Sequence, residues 1–168
     1  DDGDVFVLND PYTAGGNHLP DWVIARPVFV GGNLVAFACN RAHQSDIGGG
    51  AAGTYNSEAR EIFHEGIRLP VMKLIEKGDT RQDIWRLLMI NTRTAEALDG
   101  DLRAMIGSTR IGADRIASLV EELGMAASAW VEPREKGEVN DAYSAPMADM
   151  VKTFSKVYAL AGLRVGCL

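Results

Sequence analysis

Two runs rich in β-branched and aromatic residues, WVIARPVFV and NLVAFACN, are separated only by Gly31 and Gly32. A Gly-Gly pair supplies the positive φ that both central positions of a tight turn demand, so these runs predict an antiparallel hairpin. With the glycines at its centre, Val30 faces Asn33, and counting back sets Asp21 opposite Ala42 and Pro20 opposite His43. Pro27 lies inside the first run, where proline requires an edge or a bulge, and a bulge slips the register by one. With or without that slip the ribbon sets His43 beside the segment HLPD at residues 18 to 21, because directly opposed residues lie ~5 Å apart.

Around this hairpin the first half of the chain reads as strands and glycine loops. DVFVLND at 4 to 10 predicts a short strand, apolar on both faces at Val5, Phe6, Val7 and Leu8 and closed by an Asn-Asp-Pro turn. A glycine-rich loop follows through Gly15 and Gly16, and residues 47 to 55 form a glycine-and-alanine loop too small in side chain to build a core. A helical turn is expected over 57 to 64 and an extended stretch over 69 to 75. After Asp79 the apolar period changes from two to about 3.6. Thr80 predicts a cap for a helix through Ile84, Leu87 and Leu88. Further helical runs carry Leu98, Leu102, Met105 and Ile106, then Ile116, Ala117, Val120 and Leu123, with Gly124 as the residue past the end. Gly100, Gly107 and Gly112 predict kinks or breaks in this stretch. EPREKGEVND reads as a solvated linker and MVKTFSKVYALAGL as one more helix. The expected class is α+β, with a β-rich part at 1 to 79, a helical part at 80 to 124, and a divergent or truncated tail at 125 to 168.

Composition narrows the functional classes. At 46% apolar and 24% charged residues over 168 positions, the chain has the makeup of about one globular domain rather than a disordered segment. A formal net charge of -6 argues against nucleic acid or a polybasic membrane contact. No apolar run approaches the ~20 residues of a bilayer span, and no charged-then-apolar leader opens the chain, so the cytoplasm is the expected compartment. A start at Asp1, running at once into VFVL, is the beginning expected of a piece cut from a larger protein or of a processed or trimmed chain. Cys39 lies in an apolar run far from Cys167, which predicts a buried free thiol rather than a disulfide or a zinc knuckle.

The chain has three histidines, and two of them, His18 and His43, stand in the segments that the hairpin joins. If HLPD curls, His18, Asp21 and His43 converge. Two imidazoles and a carboxylate make a mononuclear metal site with open positions, suited to Zn²⁺, Mn²⁺ or Fe²⁺ and able to polarise a carbonyl or activate a water near neutral pH. The other reading is plainer. HxxD is short and permissive, strand-end histidines commonly meet solvent, and Asp after Pro is a common turn residue. Asp10 and Asp46, on adjoining loops, are candidates for orienting the imidazoles or handling protons, and Asp46 is the candidate catalytic group. Arg41 suits either an anionic ligand or a salt bridge to Asp46. His64 is expected to pack or hydrogen-bond near the surface, and Glu58, Glu61 and Glu65 to form a solvated helix face. The GGGAAG run lacks the Lys-Ser/Thr of a phosphate-binding loop, which excludes nucleotide binding there.

Taken in order, GDVFVLNDPY, GGNHLPD, NRAHQSDIGG, EIFHEGIRLPVMKL and NTRTAEALDGDLRA resemble the hydantoinase B/oxoprolinase family over residues 3 to 124. The chain departs from that pattern at Asn17, where the family often has threonine, and at Met105, where it often has glutamine. The resemblance implies that His18, Asp21 and His43 hold a divalent metal, with one more aspartate ligand from a region upstream of this stretch. It implies a fragment of a B-type subunit that works with an A-type ATP-binding subunit or region. That partner phosphorylates a small cyclic amide, and the B-type part completes its ring-opening hydrolysis. The alternatives are the metal-bearing subunit of an ATP-dependent ketone carboxylase of the acetone carboxylase type, and a degenerate, non-catalytic scaffold. The resemblance also implies that the fragment alone is inactive.

Overall fold

A computed structural model describes residues 1–14, 18–53, 55–122 and 164–166. Strand β1 (Val5–Leu8) is followed by a single helical turn α1 (Pro11–Ala14), then by the long hairpin β2 (Asp21–Val30) and β3 (Asn33–His43). A 3₁₀ turn at Ile62–His64 leads to β4 (Met72–Glu76), β5 (Asp79–Thr80), α2 (Gln82–Ile90), α3 (Ala95–Glu122) and β6 (Arg164–Gly166). The strands form one antiparallel sheet in the order β5-β4-β1-β2-β3-β6. The fold is α+β, as the change of apolar period predicts.

The hairpin turns at Gly31 and Gly32 with φ of 58° and 82°, values that glycine adopts without strain. Val30 faces Asn33 as counted, but the register slips between Val28 and Phe29, beside Pro27, where Val35 is the extra residue on β3. From there to the far end the pairing is offset by one, and Asp21 faces His43 instead of Ala42. A one-residue slip turns a strand's whole side-chain set over to the other face of the sheet. Directly opposed residues share a face, so the bulge is what puts Asp21 and His43 on the same side.

Helices α2 and α3 cover the other side. Val5, Val7, Trp22, Ile24 and Leu74 of the sheet are buried with Leu19, Ile47, Leu69, Trp85, Leu88, Leu98, Leu102 and Met105 in one core. Val28, Ala36 and Ala38 meet Ala113, Ile116 and Val120 in a second, smaller one further along α3. Phe6 and Leu8 are only half-buried while Val5 and Val7 are fully so, which shows a sheet sealed on the helix side more completely than on the other. Trp85 ties the helices together by donating to Asp99 at 2.9 Å, with the Arg103 guanidinium over its ring.

Several expectations need correcting. Residues 57 to 64 make only the 3₁₀ turn, so Glu58, Glu61 and Glu65 line no helix face. Thr80 belongs to β5, and α2 begins after Arg81 with no side-chain cap. The glycines do not break the helical region: α3 runs unbroken for 28 residues. Gly100 and Gly107 face solvent, and a periodic stripe from Leu98 to Val120 is buried on the sheet. That packing outweighs a helix penalty of about 1 kcal/mol per glycine. Cys39 is a half-buried free thiol, pushed up in pKa by burial. Gly124, Cys167, the linker and the expected last helix lie outside the described residues.

Candidate metal centre

The open side of the sheet carries the histidines. Residues 18 to 21 curl as the sequence requires: the Asp21 N–H donates to the His18 carbonyl at 3.3 Å, and Pro20 O accepts from Trp22 and Gln44 at 3.1 and 2.8 Å. Leu19, fully buried, anchors the curl in the core. Asn9 fixes it from behind. Its Nδ2 donates to Leu19 O and Ile67 O at 2.8 and 2.9 Å, and its Oδ1 accepts from the Leu69 N–H at 2.7 Å.

These constraints turn His18 and Asp21 to the same side, where β3 delivers His43. Asp21 Oδ1 lies 3.1 Å from His18 Nε2 and 3.1 Å from His43 Nδ1. The His43 Nδ1 contact is a hydrogen bond in which the carboxylate oxygen accepts when that nitrogen carries the ring proton; in the other tautomer the nitrogen offers a lone pair to a cation. One potential ligand atom from each residue lies within 4.8 Å of the other two. A cation ~2 Å from each donor needs its ligands roughly 3 to 4 Å apart, and two imidazole nitrogens with a carboxylate oxygen suit a borderline divalent ion. The donor set therefore fits such a metal, with three protein ligands among the described residues to hold it. The side chains are a fifth to two-fifths exposed, at 33, 21 and 38% for His18, Asp21 and His43, so the cluster is open to a ligand.

The other acids named from sequence lie in different networks. Asp10 accepts from the Tyr12 N–H at 3.0 Å and from Arg68 at 3.1 Å, and these bonds lower its pKa. Asp46 is 2% exposed. Its carboxylate accepts from the N–H groups of Gly48, Gly53 and Arg93 at 3.0 to 3.1 Å and from the Arg93 guanidinium at 3.0 Å. Burial pushes its pKa up, but these donors outweigh burial and hold it at about 2. Arg93, not Arg41, is the ion-pair partner of Asp46, and Arg41 is exposed. His64 sits near the surface as expected, with Nδ1 accepting from the Arg60 N–H and Nε2 beside Glu61.

Three contributors are missing from the sequence reading. Asn9 showed there only as part of a turn. Arg93 lies inside a quoted motif, and its guanidinium also donates to the carbonyls of Gly48, Gly49 and Ala51. Tyr55, at the end of the glycine loop, stacks on His43. Its one sequence signal is being the sole large side chain in that loop.

A half-covered antiparallel sheet, with a two-histidine, one-aspartate cluster on its open face, defines this chain as a sheet-borne candidate metal protein. The hydantoinase B/oxoprolinase family model matches residues 1–132, and the chain belongs to that family. It is 37% identical over 124 residues to the beta chain of caprolactamase from Pseudomonas jessenii, covering 74% of this chain and 21% of that one. The crystal structure of ATP-dependent caprolactamase from that organism superposes with a TM-score of 0.70 over the same shares, 74 and 21%. The B-type subunit of a putative D-/L-hydantoinase from Pseudomonas sp. (strain NS671) is 33% identical over 124 residues, with 73% of this chain and 21% of that one covered. A nucleotide-free acetone carboxylase structure shares the fold at a TM-score of 0.70 and 23% identity, covering 76% of this chain and 16% of that one. The chain thus spans about a fifth of the length of these two curated Pseudomonas relatives. Among the described residues no helix is long and apolar enough to cross a membrane.

Proposed function

We propose that this chain is the metal-bearing portion of a B-type subunit in an ATP-dependent cyclic-amide hydrolase, with His18, Asp21 and His43 holding one divalent cation. The observation that carries this reading is the convergence of both imidazoles on Asp21 Oδ1, each at 3.1 Å. A bound cation supplies Lewis acidity toward a carbonyl or phosphoryl oxygen. The chain's own residues do the rest. The curl held by Asn9 and Leu19 fixes His18 and Asp21, and the bulged register of β3 brings His43 to them. Asp46 acts through the loop it anchors: a carboxyl held at about 2 takes up no proton near neutral pH, so its part is positioning and not proton transfer.

ATP is bound by an A-type partner subunit or region, which activates the small cyclic amide before it meets this site. The names of the relatives at 37 and 33% identity, caprolactamase and hydantoinase, favour amide hydrolysis. The acetone carboxylase likeness, at 23% identity, is one of fold.

Metal analysis of the purified chain tests the centre. About one equivalent of Zn²⁺, Mn²⁺ or Fe²⁺ is expected in the wild type, and almost none in His43→Ala at unchanged secondary structure. Equal, negligible metal in both proteins refutes it. The reaction is tested by ATP-dependent turnover of hydantoin or 5-oxoproline, against acetone plus bicarbonate, in the complex assembled with an A-type subunit. Turnover of acetone alone overturns the hydrolase assignment.

A further inference from the structure

Beside the three donors stands an aromatic ring that does little to hold the fold. Tyr55 is 84% exposed, yet its ring lies 5.8 Å from that of His43 at an interplanar angle of 23°, and 6.4 Å from His18 at 30°. The two imidazoles are themselves 5.2 Å apart and tilted by 37°, so three rings stand in a loose group in which only Tyr55 and His43 are stacked. Tyr55 is the one large side chain between residues 48 and 56, in a segment otherwise made of Gly, Ala, Thr and Asn.

Residues 48 to 53, leading toward that ring, are held from beneath. Arg93 donates to three of their carbonyls, and Asp46 accepts from Gly48 and Gly53. Gly49, at φ +82°, packs so closely that a Cβ there would meet His64 O at 2.6 Å. Such fixation is more than a solvent loop needs. Its effect is to place an aromatic ring at the edge of the donor cluster while leaving most of that ring uncovered. A flat polar ring gains from an offset stack on tyrosine, with centroids 4.5–7 Å apart, and such a contact constrains orientation as well as position.

We propose that Tyr55 is a substrate-positioning residue, an aromatic wall against which the flat ring of a cyclic amide lies while its carbonyl oxygen is directed to the site of His18, Asp21 and His43. This inference rests on the metal-centre reading. Flat five- or six-membered cyclic amides present a continuous face to the wall, whereas an open-chain amide of equal size does not. The phenol hydroxyl is not required by this role; the ring is.

The test uses the 168-residue chain loaded with Zn²⁺, and hydantoin as the probe, followed by NMR of the His43 and Tyr55 ring protons. Hydantoin is expected to shift both sets of signals. Its Kd rises roughly three- to tenfold in Tyr55→Ala, the factor one aromatic contact carries, and stays within about twofold in Tyr55→Phe. Zn²⁺ stoichiometry is unchanged in both variants. The ring-current displacement of the His43 carbon-bound protons, seen without hydantoin, disappears in Tyr55→Ala and persists in Tyr55→Phe. Unaltered hydantoin affinity in Tyr55→Ala, or no hydantoin binding to Zn²⁺-loaded wild type, overturns the wall and leaves the metal centre standing. Failure of the wild type to take up Zn²⁺ overturns the metal centre and the wall together.

Discussion

The Asp46 carboxylate gathers three backbone N–H groups and a guanidinium at the root of the glycine loop, and its pKa falls from 3.8 to about 2. A depressed carboxyl stabilises the fold above its unfolded value, near pH 4, and loses that contribution as pH falls from about 4 through 2. For a group this buried the depression corresponds to roughly 2 kcal/mol. Asp46→Asn should therefore lower unfolding stability by about that amount at pH 7, and the gap to wild type should narrow at pH 3. Denaturant titrations at the two pH values decide it; a gap that ignores pH would mean the loss comes from packing alone. At this scale the sequence was half legible. His18, Asp21 and His43 could be grouped because a tight turn and a three-residue curl are local relations. The partners of Asp46 and Asp10 lie 47 and 58 residues away, in Arg93 and Arg68, a distance that no periodicity reports. Tyr55 stayed hidden because nothing in a glycine-rich string says where its end points.

Among the elements, the hairpin was readable and its register only partly so. Gly31-Gly32 dictates the turn, but where a strand takes up an extra residue depends on the helix it must satisfy. Val28, Ala36 and Ala38 have to meet Ala113, Ile116 and Val120, and the slip beside Pro27 lets them. The same slip aligns Asp21 with His43, so core packing at one end of the ribbon and site geometry at the other share a cause. The joint between β1 and the curl is as consequential. Asn9 is 2% exposed and satisfies two carbonyls and one N–H from three separate chain positions. Asn9→Asp keeps the shape but turns the donor that faces Leu19 O and Ile67 O into an acceptor. A loss of roughly 2–4 kcal/mol is expected from two unpaired buried carbonyls facing a carboxylate oxygen. Because the curl carries His18, Co²⁺ affinity followed by visible absorption should also fall, although Asn9 does not belong to the donor cluster. Undiminished Co²⁺ affinity in a folded Asn9→Asp protein would show that the curl holds itself.

For the molecule as a whole, the change of apolar period after Asp79 announced the α+β class, because one element type must bury a stripe and the other a face. The unbroken α3 was not announced: three glycines weaken it locally, and only the sheet beneath supplies the burial that sustains it. The division that results, helices on one face and the donor cluster on the other, ties metal occupancy to stability in a simple way. The three donors come from the curl before β2, the start of β2 and the end of β3, so only the folded hairpin presents them together. A ligand that binds the folded state alone stabilises it by RT ln(1 + [L]/Kd), about 2.7 kcal/mol at a hundredfold excess over Kd. For a chain of this size that is a rise in Tm of roughly 5–10 °C. Thermal unfolding with Zn²⁺ should show this rise in wild type and lose most of it in His18→Ala, Asp21→Ala and His43→Ala. Tyr55→Phe should keep it, since the ring is no ligand. Equal shifts in all five proteins would place the ion elsewhere on the surface and separate the stability of this sheet from the cluster on its open face.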